Sequence, residues 1–189
     1  MSRGFINICM KIIQKIIEII LKLFKKEEPI IEKEFIMENQ ISKNFTLAEL
    51  TYSDTAKSKG LDNTPTESEY MKMKTLCEKV LQPLRDHFGK PIRINSCYRG
   101  KQLNEAVGGS KTSQHCKGEA ADIEIMGMSN YDLACYIRDN MDFDQLILEY
   151  TENIKNDINA GWVHVSYVSP SVNRKQCLTI NKSGTKLGF

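Results

Sequence analysis

Two short stretches, far apart in the chain, share one pattern and constrain the fold more than any other feature. Residues 119–125 read Glu-Ala-Ala-Asp-Ile-Glu-Ile, and residues 161–166 read Gly-Trp-Val-His-Val-Ser. Successive side chains of a strand point to opposite faces, so Ala121, Ile123 and Ile125 turn one way and Asp122 turns the other. Val163 and Val165 likewise turn away from Trp162, His164 and Ser166. Each stretch therefore reads as a strand with an aliphatic face and one candidate polar ligand on the opposite face.

The chain has three histidines, and two of them, His115 and His164, belong to these surroundings. His115 precedes Asp122 by seven positions, an odd separation that one continuous strand would place on opposite faces. A bend must fall between them, and Gly118 permits it. His115 then sits on an incoming loop, with Asp122 and His164 on paired strands. Two imidazoles and a carboxylate are the donor types of a catalytic zinc site, which takes three protein ligands and leaves a fourth position to water. On spacing alone the set reads equally as hydrogen-bonded structural residues, because a His beside a Trp and an Asp in a strand are common devices.

A length of 189 residues suits one domain of about 100–150 residues with an appendage. The net charge of +2 is unevenly spread: residues 1–26 hold six basic side chains against Glu18, giving +5, and the remainder carries −3. No nucleic-acid partner is expected for such a body. Within residues 5–24, polar positions 11, 14, 15, 18 and 22 recur at helical spacings and leave a wide Ile/Leu/Phe face. The charges interrupt any membrane-spanning run, and Lys25-Lys26-Glu27-Glu28 stands where a cleavable signal would need small residues. The expectation is an amphipathic helix over 1–26 lying on a membrane surface, with packing on protein or self-association as its alternative. Residues 27–44, with Pro29, read as a linker, and 45–189 as the folded domain. Cys9, Cys77, Cys97, Cys116, Cys135 and Cys177 show no paired spacing and read as mostly reduced, buried thiols.

Along that domain, Thr46 caps a short helix, and a polar loop runs through Gly60 to Pro65. Thr66 to Glu69 forms a capping box for a core helix that carries Tyr70, Met73, Leu76, Val80, Leu81, Leu84 and Phe88 and stops at Gly89. Pro83 should kink that helix or split off its last turn, and His87 near its end reads as structural. Residues 91–99 alternate as a strand ending at Arg99. That arginine reads either as a solvated loop charge or as a fork of donors for a substrate carboxylate or carbonyl. Ser129 caps a further helix. Residues 144–150 form a strand with Gln145, Ile147 and Glu149 on one side, and a polar turn over 151–160 leads to the His164 strand. Glu149 and His164 are then expected as cross-strand neighbours, which makes Glu149 the candidate general base; its alternative is an exposed strand carboxylate. Arg174, in the tail, serves either a substrate or the surface.

The chain resembles the zinc D-alanyl-D-alanine carboxypeptidase and endolysin family, peptidoglycan peptidases whose fold is shared with the N-terminal domain of hedgehog proteins. The segments that carry the resemblance are Asn95 to Arg99, Asn104 to Gly109, Ser113 to Asp122, Phe143 to Glu149 and Trp162 to Ser166. They match a pattern S-x-H-x-x-G-x-A-x-D followed by W-x-H, and the W-V-H-V-S strand is similar to that of small phage-borne and prophage-borne members. The resemblance implies an α+β fold with a central antiparallel sheet and helices on one side. It implies zinc held by His115, Asp122 and His164, Arg99 as a catalytic and substrate-anchoring residue, and Ser113 beside a peptidoglycan peptide substrate. Many relatives carry a catalytic Glu, Asp or His three residues before the last zinc ligand. Here that position is Gly161, and the family's F-D-Q-L-I-x-E segment supplies Glu149 instead. The implied activity is hydrolysis of a peptide bond, either terminal or internal, at the envelope side of a host inner membrane, periplasmic or membrane-associated. A second reading is a zinc-stabilised cell-wall-binding module without turnover; a third makes the N-terminal helix a membrane-perturbing effector.

Overall fold

The computed structural model describes residues 3–23, 35–150 and 160–189. They divide into two units between Phe35 and Ile36. The first contains helix α1, Arg3–Leu23, on which Ile12, Ile13, Ile16, Ile17, Ile19 and Ile20 are exposed. None of the described helices is long and apolar enough to cross a membrane. Lys25, Lys26 and residues 27–34 of the expected linker lie outside the described residues.

The second unit, Ile36–Phe189, holds the sheet. Residues 36–44, read as the end of a linker, pack onto it: Ile41 is buried in the core, the Tyr70 hydroxyl donates to the Glu38 carbonyl, and the Leu47 N–H donates to that of Asn39. Short helices α2 (Leu47–Thr51) and α3 (Asp54–Lys59) follow, the first capped by Thr46 as its sequence suggests. The core helix starts at α4, Glu67–Leu76, with both halves of the Thr66–Glu69 capping box formed. It widens through a π-helical turn, Cys77–Leu81, and ends as α5, Gln82–Phe88. Pro83 falls in the first turn of α5, where its missing N–H is tolerated, and the Gln82 N–H reaches five residues back to the Cys77 carbonyl. The proline therefore widens the helix instead of severing it.

The strands are β1 (Ile92–Ser96), β2 (Ala120–Ile125), β3 (Gln145–Glu149), β4 (Trp162–Ser166), β5 (Gln176–Asn181) and β6 (Gly184–Leu187), in the order β1-β2-β4-β3-β5-β6. Helix α6 (Lys101–Ala106) and a 3₁₀ turn (Gln114–Lys117) lie between β1 and β2, and α7 (Asn130–Asn140) lies between β2 and β3. The expectation of an antiparallel sheet needs correction, because β5 runs parallel to β3. After β4 the chain crosses the start of β3 and is pinned there: the Arg174 N–H and guanidinium donate to the Asp144 carboxylate, and the Gln176 N–H donates to the Asp144 carbonyl. A strand laid down from that point must run alongside β3 in the same direction.

Alternation places Ala121, Ile123, Leu146, Leu148, Val163 and Val165 on one face, in a single buried cluster with Leu76, Val80, Leu81 and Leu84 of the core helix and Leu133 and Ile137 of α7. Each of these Val, Leu and Ile side chains contributes about 1.5–3 kcal/mol by burial. With that face covered by helices, Asp122, His164 and Ile147 look out from the other.

Candidate metal centre

His115 lies on the 3₁₀ turn, and the chain reverses immediately after it at Gly118, whose φ is 71°. A Cβ at Gly118 would stand 2.4 Å from the Glu69 carbonyl oxygen, so only glycine lets the turn nestle on α4 and bring His115 over the sheet. Asp122 and His164 are directly opposed on β2 and β4. His115 Nε2 is 3.2 Å from Asp122 Oδ1 and 3.1 Å from His164 Nδ1, and that Nδ1 is 2.9 Å from the same carboxylate oxygen. All three residues are buried, and their ligand atoms lie within 4.8 Å of one another. His115 Nδ1 is 2.7 Å from the Cys97 carbonyl oxygen. A carbonyl only accepts, so Nδ1 carries the proton and the Nε2 lone pair faces Asp122 and His164. Burial holds the His115 imidazole below its ordinary pKa, with Asp122 opposing. Burial also works against ionisation of Asp122, but His115 and His164 hold its carboxyl below the usual range. A buried carboxylate facing imidazole nitrogens is a donor set that fits a divalent cation such as zinc.

The remaining sequence candidates gather beside this group. Glu149, Arg99 and Ser113 line one cavity of about 950 Å³ together with His115, Asp122 and His164. The expected pairing of Glu149 with His164 needs correction: Ile147 stands opposite His164, and Glu149 stands opposite Trp162. Glu149 is thus a diagonal neighbour of His164 on the same face, still in reach of a shared substrate. Burial raises its pKa and the Asp122 charge adds to this, while His164 and Arg99 oppose. The Arg99 N–H donates to the His115 carbonyl at 3.3 Å, and its buried Nε has no partner among the described residues. Ser113 begins the 3₁₀ turn. Arg174 is bound to Asp144, Nε to Oδ1 at 2.9 Å, and Gln114 Nε2 donates to the other carboxylate oxygen at 2.9 Å. Asp144 therefore ties the turn that carries His115 to the base of β3, a positioning role that the sequence reading missed. His87 stacks on Tyr136 with ring centres 4.4 Å apart, in keeping with a structural part.

The Peptidase M15 family model matches residues 43–157, which contain Arg99, Ser113, His115, Asp122 and Glu149. The chain belongs to this peptidase family. No curated protein matches the chain. His164 lies beyond the matched residues, so in this M15 peptidase its place in the candidate ligand group rests on the geometry of β4. Gly161, at the position where many relatives carry a catalytic acid, has a φ of 71°, and a Cβ there would fall 1.7 Å from the Glu149 carbonyl oxygen. This backbone has no room for a side chain at that point. Cys116, adjacent to His115, has its thiol pKa raised by burial with Arg99 opposing; it, Cys77, Cys97, Cys135 and Cys177 are free thiols.

Proposed function

We propose that this M15 peptidase uses zinc to hydrolyse a peptide bond in peptidoglycan stem peptides, as a carboxypeptidase or endopeptidase of the small phage-borne kind. The observation that carries the reading is the convergence of His115, Asp122 and His164 in one buried group. A zinc ion in that group supplies Lewis acidity to the scissile carbonyl and lowers the pKa of water toward neutrality. Glu149 takes the proton of the attacking water on its carboxylate and delivers it to the leaving amine. Arg99 offers its guanidinium to the developing oxyanion or to a substrate carboxylate, and its unpartnered Nε supports that use. Ser113, at the head of the turn, contacts the substrate. Incubating purified peptidoglycan with the zinc-loaded protein should release new amines, and Glu149→Gln should slow this by about 10²–10⁴-fold while zinc binding persists.

The rival reading, a zinc-stabilised wall-binding module without turnover, draws on the absence of an acid at Gly161. Binding to peptidoglycan with no amine release from wild type or variant would decide for it. We further propose that α1 lies on the envelope side of the inner membrane, a reading supported by its exposed isoleucines and its basic residues. Deleting residues 1–26 should move the protein from membrane to soluble fractions; unchanged fractionation removes this part.

A further inference from the structure

Cross-strand pairing sets two parallel rows of side chains across the open face of the sheet. Ser96, Asp122, His164 and Ile147 form the first. Arg93, Glu124, Trp162, Glu149 and Ile180 form the second: Arg93 pairs with Glu124, Glu149 pairs with Trp162 and Ile180, and Glu124 and Trp162 are one step past the Ile123–Val163 pair. A register shift in β1 between Ile94 and Ser96 puts Arg93 and Ser96, three residues apart, opposite Glu124 and Asp122 of the same face.

Two cavities lie along these rows: the larger holds His115, Asp122 and His164, and the smaller adjoins it at Asp122 on the β1 side. The cavity already described takes in Ile147, Glu149 and Ile180, and a second of about 700 Å³ is lined by Tyr52, Arg93, Asn95 and Glu124. They meet at Arg99, Val107, Asp122 and Trp162, which line both. Each has the volume to hold a ligand by itself. Five strands at about 4.8 Å spacing carry the second row over roughly 19 Å, the length of about six extended residues. Asp122 and His164 stand on β2 and β4, inside that span and not at its end.

Taking the peptidase reading as given, we propose that the substrate peptide crosses the sheet through both cavities with its scissile bond over the Asp122–His164 pair, so that the enzyme is an endopeptidase. Release of a single terminal residue would call for a cation where the chain ends. In the β1-side cavity Arg93 already faces Glu124 at 3.7 Å, and Asp54 adds a second carboxylate. Arg99 stands at the junction, and beyond it Asp54 and Glu124 outnumber Arg93, so a free C-terminus carried past the junction meets net negative charge, whereas the backbone of a continuing chain carries none. At the junction, Arg99 Nε and Trp162 Nε1 are buried donors without partners among the described residues, suited to the carbonyls of a chain passing from one cavity to the other. The reaction consumes one water: a C–O bond forms at the carbonyl, the C–N bond breaks, and the amine leaves with a proton.

Trp162 is the one tryptophan in the chain, so its fluorescence reports occupation of the junction directly. Synthetic stem peptides ending in D-Ala-D-Ala, C-terminally free or amidated and lengthened residue by residue at either end, supply the probe. Titrated into the full-length protein after chelation, they should change Trp162 emission, with Kd falling by about tenfold as the peptide grows on both sides. With zinc restored, kcat/KM should rise in the same order, internal bonds should be cut, and amidation should be tolerated. Arg93→Ala, at an exposed position, should shrink the advantage of the longer peptides. Release of the terminal residue alone, with amidation abolishing it, overturns the endopeptidase proposal and leaves the peptidase reading standing. No cleavage of any peptide overturns both.

Discussion

A single methyl group at position 161 is incompatible with this site. Its Cβ would stand 1.7 Å from the Glu149 carbonyl oxygen, at a backbone φ of 71°. Gly161→Ala is therefore expected to destabilise the fold by on the order of 3 kcal/mol, read by urea unfolding, and Gly161→Asp should fail to rescue Glu149→Gln. The pH dependence of activity also belongs to single residues. Glu149 must be ionised to accept a proton, and burial with the Asp122 charge raises its pKa. In the zinc-free protein the Glu149 carboxyl should therefore titrate above the ordinary carboxylate range. Bound zinc adds positive charge that moves the acid limb of kcat/KM down from there, and that limb should vanish in Glu149→Gln, whereas a limb that survives the substitution would deny Glu149 this role. His115, Asp122 and His164 were legible because strand alternation and a glycine bend are local signals. The partner of Glu149 was not, because the length of the 151–160 connection does not set register, and a shift of two residues keeps the same face.

Among the elements, the capping box and the aliphatic alternation appear in the fold as they appear in the sequence, and Thr66→Ala should cost about 1 kcal/mol of stability in thermal melts. Strand β5 escaped detection because none of its residues is fully buried, so Gln176 to Asn181 shows no alternation to read. Helices α3 and α6, six residues each, sit in polar stretches too short to show a helical period. What places β5 is a contact between residues thirty apart, Asp144 and Arg174. Arg174→Ala should lower stability by about 2 kcal/mol at neutral pH, since it strips a buried carboxylate of its cation while Gln114 and a backbone N–H remain. Hydrogen bonding from Arg174 lowers the Asp144 pKa, so this stabilisation is present above the unfolded-state value and fades as pH falls. The difference between wild type and variant should begin to narrow near about pH 4 and close only once the pH is below the lowered folded-state value of Asp144; a difference that does not narrow in acid would assign the effect to packing.

Across the molecule, the packed cluster of helices and sheet lies wholly within Ile36–Phe189. A chain of residues 36–189 should unfold cooperatively with the midpoint of the full-length protein; a large drop would show that α1 supports the fold. The α+β class and the open sheet face were readable from pattern, whereas the mixed topology depended on a crossover that no local signal announces. Zinc titration of the metal-free full-length protein by calorimetry tests the central claim most directly. One zinc per chain should bind tightly, with loss of that binding in each of His115→Ala, Asp122→Ala and His164→Ala. Tight binding that survives removal of any of these side chains, or no binding by the wild type, would contradict it.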